Sequence, residues 1–195
     1  MSKKLFCLAL ALMMLVCSTA FAAGSKNTNT VTSTAPTSSV VEELAPAFVL
    51  EVMPEEKCGG VADGVLVEID DYFASNEGAP VIGAFGEENA EAIKALLPEG
   101  VDAASLTVAE AFEIYLSNYD PALYGDVKQE FYTNTAAGTV VAVLAVYVNG
   151  TYTWYPLAAE YDAVKGCVVV TFTKEVLESI PAGAELALIF LNAEA

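Results

Sequence analysis

Three groups of side chains in this sequence could do chemistry. Tyr147, Tyr152 and Trp154, with Tyr155 and Tyr161 nearby, are rings of the kind on which sugars stack. Asp63, Glu68, Asp70 and Asp71 offer hard oxygen ligands for calcium, or a carboxylate pair for cleaving a glycosidic bond. Cys58 and Cys167 offer a disulfide. Each group also has a plainer reading. Large aromatics dominate ordinary cores, so Trp154 is first expected as a core plug with the tyrosines capping its edge. Tyr155 falls on the opposite face from Trp154, so the two cannot share one flat platform. The acidic spacing does not fit an EF-hand loop, and a chain with 26 acidic residues gathers such clusters by chance. The residues therefore give no catalytic assignment, no metal ligand and no cofactor. Tyr147, Tyr152 and Trp154 stand as the candidate ligand surface.

Composition narrows the chemistry further. The chain has no histidine and no arginine. Without imidazole there is no Ser-His or Cys-His nucleophile pair and no histidine ligand for zinc. Without guanidinium there is no bidentate clamp for phosphate or carboxylate. A formal charge of −18 repels nucleic acid, which is not expected as a partner. The acidic surface reads first as a solubility device and second as a match for a cationic partner.

The opening residues set the expected compartment. Lys3 and Lys4 precede an apolar run from Leu5 to Val16 that is too short for a stable span, and Ala20-Phe21-Ala22 has the small-x-small pattern of a cleavage site. Residues 1–22 thus read as an export signal, which places the mature protein outside the cytoplasmic membrane, secreted or at the cell envelope. Cys17 follows Val16 rather than a small residue, which argues against lipidation. Losing Lys3 and Lys4 leaves six lysines against 26 acidic residues, a charge of −20. No later stretch is long and apolar enough to be read as a membrane span. In an exported chain Cys58 and Cys167 are either bridged or two buried free thiols, and the sequence leaves both open.

Residues 23–44, rich in Thr, Ser and Asn, read as a disordered tether, 45–125 as an N-terminal α/β part and 126–195 as an antiparallel β-meander. Strands are expected at Ala47 to Met53, closed by Pro54, and at Val61 to Ile69. Glu87 to Leu97 reads as a helix from the shared face of Ala90, Ile93, Leu96 and Leu97. A second helix is expected from Thr107, which has capping-box spacing to Glu110. Thr139 to Val148 is apolar at odd and even positions alike, the mark of a central strand covered on both faces. Asn149-Gly150 predicts a type I′ hairpin pairing Val148 with Thr151, Tyr147 with Tyr152, Val146 with Thr153 and Ala145 with Trp154. Cys167 to Thr173 is the next strand, followed by a short helical turn at Lys174 to Ile180. Ala184 to Leu191 closes the sheet, with an apolar edge that could pair two copies into a homodimer.

The run VVAVLAVYVNGTYTWYPLAAEYDAVKGCVVVTFTKEVLESIPAGAELALIFLN resembles C-terminal β-sandwich segments of secreted proteins from Firmicutes and related gut bacteria. The likeness lies in an apolar strand, a turn, a strand bearing Trp, a V-x-V-x-F-like strand and a closing apolar strand. It implies an architecture and no functional residue.

The expectation is thus an α+β, mostly β protein, with an antiparallel sheet or sandwich in the C-terminal half and one or two short helices before it. Its expected role is non-enzymatic, structural or binding, with an envelope protein or a glycan as partner. The alternatives are a carbohydrate-binding module using the hairpin aromatics and a small secreted carboxylate-dependent hydrolase.

Overall fold

The computed structural model describes residues 48–133 and 137–193. The export signal expected at 1–22 and the tether expected at 23–44 lie outside the described residues. The fold is mostly β: seven antiparallel strands form one sheet, with two helices ahead of all but the first strand and a third, short one near its end. The strands are β1 Val49–Val52, β2 Leu106–Ser117, β3 Val127–Phe131, β4 Thr139–Val148, β5 Thr151–Asp162, β6 Cys167–Phe172 and β7 Glu185–Ala193. Their order across the sheet is β1-β2-β7-β4-β5-β6-β3. The helices are α1 Val61–Ser75, α2 Glu87–Leu96 and α3 Lys174–Ser179.

The sheet curls until it is nearly closed. Phe112 of β2 comes to 5.6 Å, between ring centroids, from Phe131 of β3, and both meet Phe190 of β7. The concave side thus packs against itself, with Leu144, Leu157, Val170 and Phe172 in the same core. The convex side of β2, β7, β4 and β5 is covered by α1, α2 and a 3-10 segment, Val81–Phe85, through Val65, Ile69, Phe85 and Ile93. With a layer on each side, β4 buries every residue from Val141 to Val146, as its unbroken apolar run predicts.

Several local expectations hold. Asn149 and Gly150 both have positive φ, 51° and 84°, and the β4–β5 register pairs the four expected couples. Val168, Val170 and Phe172 share the concave side of β6, and α2 and α3 form close to the expected positions.

Three expectations are corrected. Val61 to Ile69 is the first part of helix α1, not a strand. Val61, Val65 and Ile69 recur every fourth residue and are all buried, while Asp63, Glu68, Asp70 and Asp71 face solvent. One buried stripe outweighs the modest helical disfavour of valine. The segment from Thr107 is strand β2, not a helix. A β-bulge between Val108 and Glu110 shifts the alternation, so Leu106 and Val108 face the helices before it and Ala111 does after it. That extra residue breaks the period of two and imitates a helical spacing. Ala184 to Leu191 lies, from Glu185 on, in β7, which is hydrogen-bonded to β2 on one side and β4 on the other. No edge is exposed there for a homodimer, and the sheet's edges are β1 and β3.

The meander expected over 126–195 is present as β4, β5 and β6, whereas β7 crosses back to lie between β2 and β4, and β3 caps the far side of β6. Among the described residues no helix is long and apolar enough to cross a membrane.

Candidate functional site

The hairpin aromatics form a row beneath the helical layer. Tyr147 and Tyr152 are 4.8 Å apart between ring centroids, and Tyr152 and Trp154 stack at 5.2 Å with planes 16° apart. Trp154 then meets the edge of Phe85 at 5.3 Å. Tyr152 donates its hydroxyl to the carbonyl of Val61, over the backbone of Gly64 in α1. All three rings are partly buried in the outer core, and the stacking leaves Tyr152 and Trp154 each one face fewer for a sugar. Tyr155 packs in the inner core on the other side, as the alternation requires.

Glu113 is the residue that sequence reasoning missed most clearly. It is a buried carboxylate in the middle of β2. Its Oε2 accepts the backbone N–H of Gly59 at 2.7 Å, and its Oε1 accepts those of Gly60 and Val61 at 2.7 Å each. These are donors that the start of α1 leaves without helical partners, and the helix dipole favours a negative charge there. Glu113 is therefore committed to holding α1 on the sheet. The sign of it in the sequence is a lone Glu inside the apolar run Phe112 to Leu116.

Of the two readings left open for Cys58 and Cys167, the structure has both thiols free, with Cys58 exposed where the free-thiol reading expected two buried ones. Cys58 is exposed at the turn before α1, near the Met53 and Pro54 carbonyls, whereas Cys167 is buried at the start of β6. Desolvation, then Glu113, Glu55 and Asp63, pushes the Cys58 thiol up. Desolvation, then Glu130 and Asp162, does the same to Cys167. Neither is an activated nucleophile. The acidic residues of α1 are spread over its exposed surface, and no group of three metal-ligating side chains occurs among the described residues.

A cavity lies at the end of the sheet where α3 packs. It measures about 530 Å³. One wall is the end of β2 and the turn after it, where Asn118 takes a positive φ of 59° and Asp120 Oδ1 accepts the N–H of Ala122 at 2.8 Å. The other wall is α3 and the turn Pro181-Ala182-Gly183. Thr173 caps α3 by accepting the N–H of Val176, and the Lys174 N–H reaches Asp126 Oδ1 at 2.9 Å. Leu177 drops from α3 into the inner core, and burying such a side chain contributes about 1.5 to 3 kcal/mol.

Leu116, Leu177, Ile180 and Leu186 give the cleft its apolar lining, and Ser117, Asn118, Tyr119 and Glu178 its polar groups. Tyr119 packs with Phe48 and Tyr124, at 5.8 and 6.3 Å between centroids, and its hydroxyl reaches the carbonyls of Tyr124 and Gly125. Desolvation is the main cause that raises its phenol pKa, followed by the charges of Glu178, Asp126 and Glu175. Glu178 is the one carboxylate in the lining, so the cleft does not hold the converging acidic pair that glycoside hydrolysis uses. Asn118, Asp120 and Pro121 on one wall and Pro181 and Gly183 on the other are turn-forming residue types, but nothing local indicated that the two turns meet.

Comparison with protein-family models, with curated proteins and with solved structures finds no match for this chain.

Proposed function

We propose that this protein is a non-enzymatic binding module that acts outside the cytoplasmic membrane, secreted or at the envelope, and takes its ligand in the cleft between β2 and α3. The observation that carries the reading is the cleft itself. Its volume falls in the range of small-molecule sites, and it combines an apolar lining with a few polar groups. The leader-like residues 1–22 support the compartment.

The carbohydrate-binding alternative keeps one observation in its favour, the continuous row Tyr147, Tyr152 and Trp154. An NMR titration of residues 23–195, which keep every described element, separates the readings. The two panels are small amphiphiles and cell-wall or mucin glycans. Shifts gathered on Leu116, Tyr119 and Ile180 carry the proposal. Shifts gathered on the hairpin aromatics replace it with glycan binding, and release of reducing sugar replaces both with a hydrolase. A mature N-terminus at Ala23, read from protein recovered outside the cell, tests the compartment.

A further inference from the structure

We infer that the ligand of this cleft is an organic cation, an apolar or aromatic group carrying an ammonium. The inference rests on reading the cleft as the binding site and adds the charge of what enters it. Three observations point the same way. Leu116 and Ile180 are partly exposed in the lining, with buried Leu177 and Leu186 behind them, so one side of the cleft suits an apolar group, and the cleft is too large for a bare ion. Glu178 stands in the lining, and two further carboxylates lie beside it outside the lining, Glu175 on the same helix and Asp126, whose Oδ1 accepts the Lys174 N–H at 2.9 Å. Three rings, Phe48, Tyr119 and Tyr124, are gathered at the same end, with Tyr119 in the lining itself, and an aromatic face attracts a cation.

Lys174 is the nearby positive charge, and its ammonium is shared between a backbone carbonyl and Glu178. Its Nζ donates to the carbonyl of Pro121 at 3.0 Å and stands 3.9 Å from Glu178. Lys174 offsets one of the three carboxylates Glu178, Glu175 and Asp126, so the local charge stays negative. An anionic ligand would enter against that charge, and the wall offers no arginine to receive it. A neutral ligand would use the apolar side and leave the charge unused.

Three probes of nearly one shape test this: 2-phenylethylammonium, 2-phenylethanol and 3-phenylpropionate, each titrated by NMR into 15N-labelled residues 23–195. The expected result is that all observed shifts centre on Leu116, Tyr119 and Ile180, with the ammonium binding about fivefold tighter than the alcohol and the carboxylate weakest. The preference should shrink in high salt and in Glu178→Gln, whose exposed position leaves the fold intact as judged by spectral dispersion. Equal binding of ammonium and alcohol at the cleft would overturn the charge inference and leave the binding reading standing. Absence of cleft shifts with every probe would overturn both.

Discussion

Glu113 Oε1 lies 2.7 Å from the backbone nitrogen of Val61, so a strand carboxylate from β2 closes the first turn of helix α1. The same oxygen takes the Gly60 N–H, and the other takes Gly59. In Glu113→Gln one oxygen becomes an amide nitrogen, which presents hydrogens to backbone donors. The expected loss is about 2 to 4 kcal/mol, because charge-assisted bonds in a buried site are replaced by a clash of donors. Urea unfolding of the variant measures it, and an unchanged midpoint would remove Glu113 from its place as the pin of α1.

Gly64 and Tyr152 define a second test. A Cβ at Gly64 would run into the Tyr152 hydroxyl, and Tyr152 is held between Tyr147 and Trp154 with little room to swing away. Gly64→Ala should therefore destabilise by about 1 to 3 kcal/mol despite alanine's better helix propensity. With Tyr152→Phe the obstruction is gone, and the ring carbon lies at ordinary contact distance. In that background the same Gly64→Ala change should become neutral or stabilise by up to about 1 kcal/mol. A double-mutant cycle in urea checks the reversal of sign.

The ion pair between Lys165 and Glu130 predicts a pH dependence. Lys165 and then Tyr132, as hydrogen-bond donors, hold the Glu130 carboxyl below its usual range, and Glu130 in turn raises Lys165. For Glu130, the stabilisation is present above its unfolded pKa and lost as pH falls through its lower native value. For Lys165, it is present below its unfolded pKa and lost as pH rises through its higher native value. Wild type and Lys165→Met should thus differ near neutral pH and converge in strong acid, at about pH 2. Denaturation midpoints at the two pH values decide it, and a constant difference would exclude the pair as its source.

Cys58 and Cys167 should report their surroundings through alkylation. Iodoacetamide at neutral pH should add one group slowly to the native protein, at exposed Cys58, and a second at Cys167 only after unfolding. Intact-mass spectrometry and peptide mapping read the order. A native protein that takes no label until reduced would restore the disulfide.

Trp154 should show blue-shifted emission and weak acrylamide quenching, since it is stacked on Tyr152 and edged by Phe85. A red-shifted, freely quenched spectrum would detach it from the outer core.

By itself the sequence determined what depends on neighbouring residues and on composition. Asn149-Gly150 set the register of β4 and β5, because the turn needs positive φ at both positions and the pairing follows residue by residue. The double-sided burial of β4 followed from its unbroken apolar run, and the missing histidine and arginine excluded whole classes of chemistry. The tertiary structure decided what depends on segments distant in the chain. Valines at Val61 and Val65 suit a strand locally and became helical because a sheet surface was there to receive one stripe. The bulge in β2 hid a strand behind a helical period, and β7 became a central strand because β2 and β4 both needed a partner. The Glu113 pin and the cleft have the same origin. Each joins a point on β2 to a turn or helix elsewhere in the chain, and no local preference carries information about which distant backbone will arrive.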